Sequence, residues 1–292
     1  MGKNMGIMTK SRKTAIVIVA VMLVILTILI GIEAAKWMQY RRVAKLCEEI
    51  EAGKEIPEKI DPKIINGISA PLFMHEVYRI SERGIKTPLV EACRWANIQA
   101  IKTLLENGAD PNFYVPNGSY STMTAVWHSP LSNEKRLEVM KLLVSYGADV
   151  NVYTGAEQPV IILISRMLHL IDRDAVREEM IMWLLDNGAV RKSQLSGNTI
   201  LHYAVSGRNA DFVKMLIKKY AFDVNEIGYE GKSSLVMAVS VPNKYSTDEE
   251  VKAIVEVLLE HGADTSIKDD YGKTAYDYAV EKGFTEIAEL VK

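Results

Sequence analysis

Hydrophobic and polar residues follow one another along this chain in three different ways. Residues 15–32 form an uncharged run of Ile, Val, Leu, Met and Ala, close to the ~20 residues that cross a bilayer core. Between Trp37 and Gly53 the pattern changes to helical spacing, with Val43, Leu46, Cys47 and Ile50 on one side and Glu48, Glu49 and Glu51 on the other. Gly53 then stops the helix, and Pro57 and Pro62 mark an extended connection. Beyond it, short apolar stripes such as Ile101, Leu104 and Leu105 recur between turns rich in Gly, Asn and Asp. The first pattern predicts a transmembrane helix. The second predicts a juxtamembrane helix that continues it, although an ordinary amphipathic surface helix carries the same spacing.

The flanks of the apolar run suit an interface. Lys3, Lys10, Arg12 and Lys13 precede it, and Trp37, Tyr40, Arg41 and Arg42 follow. A cleaved signal peptide is the rival reading. It needs a shorter apolar core and a small-x-small site, and Ile32 and Glu33 stand two residues before Ala34 and Ala35. A buried core helix would carry charge on one face, and this run carries none. Orientation is nearly balanced, because Lys36, Arg41, Arg42 and Lys45 match the four cations upstream. Arg12 and Lys13 abut the run whereas Glu33 is the first charge beyond it, which tilts the expectation towards a large domain outside the cytoplasm. Myristoylation at Gly2 is excluded, since Gly6 stands where Ser or Thr is required.

The third pattern repeats a phrase. Thr87-Pro88-Leu89 is followed by Asn107-Gly108-Ala109-Asp110-Pro111-Asn112. The ending returns as Tyr146-Gly147-Ala148-Asp149-Val150-Asn151, as Gly188-Ala189-Val190 and as Gly262-Ala263-Asp264-Thr265. The opening returns as Gly197-Asn198-Thr199-Ile200-Leu201-His202-Tyr203-Ala204 and as Gly272-Lys273-Thr274-Ala275-Tyr276-Asp277-Tyr278-Ala279. Self-similarity at such a period marks stacked supersecondary units. The phrase resembles the ankyrin repeat over roughly residues 68–292. The resemblance implies an all-α solenoid of about six helix-turn-helix units with β-turn fingers, preceded by one transmembrane helix. The domains expected are a basic segment (1–14), a transmembrane helix (15–35), a juxtamembrane helix and linker (36–67) and the ankyrin-repeat domain (68–292).

The units differ in how closely they keep the phrase. The second, opening at Thr124, runs two residues long to Gly147, and its finger is extended. The third opens at Gln158-Pro159 with about nine extra residues before Gly188, and the fifth, Ser233 to Gly262, has about eight. In the fourth, Tyr220-Ala221-Phe222 replaces the terminal glycine, which puts its exit turn in doubt. Residues 70–83 resemble a degenerate first unit or cap, and the last unit carries the charges of a capping unit, Glu281, Lys282, Glu286 and Glu289. The additions fall between paired helices, at 129–135, 168–174 and 241–249. Insertions confined to one edge often mark a binding face, though length added there also costs little.

Charge and chemistry narrow the function. A net charge of −2 supplies no basic field for nucleic acid. Two cysteines, Cys47 and Cys93, are too few for a disulfide framework or a zinc cluster. No phosphate loop, paired-carboxylate site or metalloprotease motif is present, so no catalysis, cofactor, metal or small-molecule substrate is expected. In the family's pattern His202 is structural; His261, just before Gly262, reads as a helix C-terminal cation near the dipole, and Cys93 occupies a packing position in a first helix. Cys47 is a buried thiol or, near a cytoplasmic membrane face, a lipidation site, and Asn117-Gly118-Ser119 is a sequon.

What remains is a surface. Family members dock partners on finger tips and the exposed side of first helices. The matching positions here are Arg94, Trp95, Phe113, Tyr114, Tyr120, Tyr153, Tyr229, Glu230, Tyr271 and Lys273, rich in the aromatic and Arg side chains that carry hot spots. Tyrosines in such turns can also serve only to cover the neighbouring finger. The sequence therefore predicts a membrane-anchored ankyrin-repeat scaffold for an unidentified protein partner. The alternative is a secreted or periplasmic soluble form, released by signal cleavage and acting as an immunity or effector factor.

Overall fold

The computed structural model describes residues 3–69, 86–113, 121–153, 158–168, 175–241 and 247–292, with side chains from Ile18 onward. They belong to two compact units, Met1–Val115 and Pro116–Lys292. The expected cap at 70–83, Tyr114, Tyr120, the sequon and most of the loops at 168–174 and 241–249 lie outside the described residues.

The first unit begins with α1 (Lys3–Glu51), one uninterrupted helix of 49 residues. It is the one helix among the described residues that is long and apolar enough to cross a membrane, with a mean hydropathy of 2.7 over an 18-residue stretch. From Ile18 to Ile32 its large apolar side chains stand about half exposed, covered by no other described part of the protein. About three turns later the environment reverses. Val43, Leu46, Cys47 and Ile50 are buried, and this end of α1 packs on α3 (Pro88–Arg94). Lys86 Nζ clamps the same joint, 2.7 Å from Glu51 Oε2, and Asn97 Nδ2 donates to Ile50 O at 3.4 Å.

The way α1 stops repeats further on. Gly53 lies in the left-handed region at φ +66°; its N–H donates to Ile50 O at 3.0 Å, and Lys54 N–H reaches back to Glu49 O at 2.9 Å. That pair of bonds is a Schellman motif, which glycine favours because it has no Cβ to clash. The same pair closes α4 (Ile98–Glu106) at Gly108 and Ala109. Between α1 and α3, the short helix α2 (Pro62–Ile65) is capped by Asp61 and followed by Asn66, whose Oδ1 accepts from Asp110 N at 2.8 Å. The segment expected to be a linker thus supplies a helix, an exit turn and an asparagine staple, the same parts a repeat supplies.

The described residues of the second unit form five helix pairs. They are α5 (Thr122–Trp127) with α6 (Asn133–Ser145), α7 (Val160–Arg166) with α8 (Ala175–Asp186), and α9 (Ile200–Ser206) with α10 (Ala210–Tyr220). α11 (Ser234–Ser240) with α12 (Asp248–Glu260) and α13 (Ala275–Lys282) with α14 (Thr285–Leu290) complete them. First helices stack on first helices and second on second, so each pair buries its apolar stripe against the next. Met123, Met140, Leu143, Ile161, Ile164, Met180, Ile181 and Leu184 form part of that core. Among the described residues there is no strand, only an isolated bridge between Lys192 and Thr199.

The repeated phrase now has a mechanism. Ser or Thr opens a first helix by accepting the backbone N–H three residues on, as in Ser121, Thr199, Ser233 and Thr274. The second unit of the repeat therefore opens at Ser121, not Thr124. Thr124 is the residue whose N–H is capped, the place His202 holds two units later, and the interval to Gly147 is five residues longer than Thr87 to Gly108. The closing asparagine staples successive turns. Asn151 donates to Gly188 O at 2.9 Å and accepts from Val190 N at 2.8 Å; Asn225 does the same with Gly262 O and Asp264 N.

Where the phrase fails, other side chains replace it. The third ending lacks the asparagine, and Arg191 instead donates to Tyr220 O and stacks over the Phe222 ring, 4.1 Å from its centroid. The fourth ending has no glycine, and Ala221 itself adopts φ +50°, ψ +49°. An alanine in that region carries backbone strain that glycine avoids. Ala221→Gly is expected to raise stability by about 0.5–1 kcal/mol in urea denaturation; an unchanged or lower midpoint would show that the turn is relaxed.

His202 is structural, as its position predicts. Its Nδ1 accepts from Thr199 N at 3.2 Å, which leaves Nε2–H to donate to Lys232 O in the next finger at 3.1 Å. Burial, only partly offset by the Lys232 bond, holds the imidazole below its ordinary pKa. A histidine that titrates lower when folded gives its full stability above about pH 6.5 and loses it as pH falls. The stability gap between the native chain and His202→Gln is thus expected to shrink from pH 7.5 to 5.5, by no more than about 1.4 kcal/mol per pH unit. Urea midpoints at both values check this.

Candidate protein-binding surface

The described candidate residues fall into two groups, one per unit. In the first unit Arg94 and Trp95 end α3, where Ala96 turns left-handed at φ +59°. Trp95 is 42% exposed, and its Nε1–H donates to Glu91 Oε2 at 3.0 Å. Glu91 is buried on the same helix. Burial pushes its carboxyl above the usual range, while the Trp95 bond and the Lys86 and Arg94 charges pull it back. The indole is therefore held at a fixed angle by a buried acceptor, with the Arg94 guanidinium 6.0 Å from its ring. Phe113, half-exposed in the finger after α4, sits apart from them; its N–H donates to Asp110 O at 3.1 Å.

In the second unit the structure brings Tyr229, Glu230, Tyr271 and Lys273 together and leaves Tyr153 elsewhere. Tyr153 is half-buried, and its hydroxyl is withdrawn from solvent. The other four belong to two neighbouring fingers joined by a backbone bond, Asp270 N to Glu230 O at 3.0 Å. Gly228 N closes the first of them on Lys232 O at 2.9 Å, and Tyr229 N reaches the side chain of Asn198 in the finger before, Oδ1 at 2.8 Å. Ion pairs hold each finger. Glu230 pairs with Lys232 at 2.6 Å, which holds its carboxyl low, and Lys273 pairs with Glu281 at 2.5 Å.

Asp269 anchors the base of this platform. It accepts from Tyr278 Oη at 2.6 Å and from Tyr271 N and Lys273 N at 3.0 Å each. Burial opposes its ionisation, but these donors and the Lys232 charge outweigh burial and keep its carboxyl below the usual range. On this rigid base Tyr229 and Tyr271 stand 56% and 64% exposed. Sequence reasoning missed Leu195, which is 82% exposed at the preceding finger tip, and Ile227 beside Tyr229. An apolar side chain inside a polar turn was the available signal. Among the described residues no three His, Cys, Asp or Glu are grouped to hold a metal. Burial also raises both thiols, Cys47 and Cys93, well above their ordinary pKa, which leaves them protonated and unreactive.

Comparison with known proteins decides what the repeats are. Residues 85–113 match the family described as "Ankyrin repeat", and residues 176–217 that described as "Ankyrin repeats (many copies)". These are ankyrin repeats. The putative ankyrin repeat protein YahD of Escherichia coli (strain K12) is 27% identical over 213 residues, 73% of this chain and 98% of YahD. The ANK repeat-containing protein nipk-1 of Caenorhabditis elegans is 32% identical over 122 residues, 39% of this chain and only 20% of its own length. Among solved structures, the ankyrin repeat protein EF0377 aligns with a TM-score of 0.54 at 26% identity, over 70% of this chain and 95% of that one. An ankyrin repeat domain from Acinetobacter baumannii AYE, at 24% identity and a TM-score of 0.56, shares the fold. Ankyrin repeats are interaction scaffolds, and the exposed aromatics on stapled fingers have the form such a scaffold needs.

Proposed function

We propose that this chain is a single-pass membrane protein, crossing the bilayer through residues 15–35, whose ankyrin repeats bind another protein without catalysing a reaction. The observation that carries the binding half is the platform of Tyr229 and Tyr271, exposed aromatics on fingers fixed by backbone hydrogen bonds. Binding to a surface already ordered loses little conformational entropy. Trp95, locked onto buried Glu91, offers a second anchor of the same kind in the first unit. The membrane half is supported by the exposed apolar side chains from Ile18 to Ile32, a far larger patch than soluble surfaces tolerate.

Two experiments test the halves separately. Full-length chain captured with its partner is compared with a Tyr229→Ala, Tyr271→Ala double variant. Hot-spot aromatics each contribute about 1–2 kcal/mol, so recovery is expected to fall at least about tenfold. Equal recovery would overturn the assignment of this face. Alkaline carbonate extraction of membranes should leave the chain in the pellet. Release into the supernatant, with a mature N-terminus near Ala35 or Lys36, would establish the soluble secreted form instead.

A further inference from the structure

The first unit does more than hang from its helix. Ile32 is the last large apolar side chain of the exposed run. At 1.5 Å per residue, Lys36, Gln39 and Arg42 lie about 6, 10 and 15 Å beyond it along the axis. At that height α2 is fastened to α1. Gln39 Nε2 donates to Lys63 O at 2.6 Å, and Arg42 pairs with Asp61 at 2.9 Å. Folding therefore carries Lys63, 24 residues away in sequence, down beside the first turns that follow the apolar segment.

The result is a collar of cations around α1: Lys36, Arg41, Arg42, Lys45 and Lys63. Three carboxylates at this level pair with the collar, Glu33 with Lys36 at 2.8 Å, Asp61 with Arg42 at 2.9 Å and Glu49 with Lys45 at 3.8 Å, while Glu48 is exposed beside them. Arg41 and Lys63 are exposed and form no ion pair among the described residues. Trp37, edge-on to Tyr40 with ring centroids 6.0 Å apart, lies just below Arg41, where amphipathic rings mark the headgroup level. The collar falls within about one Debye length of that level, so charge on the lipid acts on it with little screening.

We propose that this collar docks on a bilayer surface of anionic headgroups, holding the first unit down on the lipid. This rests on the reading of α1 as a membrane anchor.

Full-length chain reconstituted into phosphatidylcholine vesicles, with or without roughly a third phosphatidylglycerol, tests it. Cys47 and Cys93 are buried, so a spin label attaches to an introduced Lys63→Cys or, separately, Arg41→Cys. At low salt, collision of either label with a water-soluble paramagnetic reagent is expected to fall at least twofold in the anionic vesicles, and to recover in high salt. Equal collision rates in the two lipids at both positions would overturn the docking. Flotation of the carbonate-washed vesicles is read alongside. A chain that floats in both lipids but shows no lipid-dependent protection refutes the collar alone, whereas a chain that floats in neither refutes the anchor and the collar with it.

Discussion

Ile50→Ala is expected to destabilise the first unit by about 3 kcal/mol or more, an effect out of proportion to a residue in an apparent linker. Ile50 is fully buried against the repeat, and removing three carbons from a packed site forfeits their transfer energy and leaves a cavity. Repeat proteins lose structure unit by unit, so the loss should be local. Hydrogen exchange on the full-length chain would read it as faster exchange of the α3 and α4 amides, with α9–α14 unchanged. Met38→Ala, on the exposed part of the same helix, is the control and should leave those amides as they were. If Ile50→Ala behaves like Met38→Ala, the end of α1 is no part of the repeat's core.

Gly228→Ala should be nearly as damaging, for a steric reason. A Cβ at this position would stand 2.4 Å from Asn198 Oδ1 and 2.9 Å from His202 Nε2. Those atoms are the acceptor of Tyr229 N and the donor to Lys232 O, so moving either breaks a staple between fingers. Overpacking and a lost buried hydrogen bond together suggest a cost of roughly 2–4 kcal/mol. The same substitution should weaken partner binding through Tyr229 without touching an exposed side chain. A variant that keeps both its urea midpoint and its partner affinity would show that the staples are dispensable.

The parts of this fold that could be read from sequence are those where one residue type solves a backbone problem. Glycine at a left-handed helix end, Ser or Thr before a first helix, and Asn two positions after Asp each leave a local signature, and the family followed from them. The spacing of Val43, Leu46, Cys47 and Ile50 likewise marked a buried face, though not what buries it. What escaped depends on partners distant in sequence. Asn66 looks like any polar turn residue until it meets Asp110. Arg191 looks like a surface cation until Tyr220 lies beneath it. Ser121 was passed over for Thr124 because both can cap a helix, and only the observed start of α5 separates them. The candidate face was legible as a list of aromatics but not as a platform, since the bond that joins its fingers, Asp270 N to Glu230 O, connects backbone atoms, which every residue has.

The unbroken course of α1 has a consequence for phase. Eleven positions separate Ile32, still exposed, from Val43, the first buried residue, and each advances the helix by 1.5 Å and turns it by about 100°. Inserting one residue there would swing the first unit through more than a quarter turn about the helix axis while hardly changing its height. A flexible tether would absorb such an insertion unnoticed. Here the direction in which Trp95 faces is geared to the count of residues in the stem, so the compass bearing of the repeat relative to the apolar stretch of α1 is itself written in the sequence.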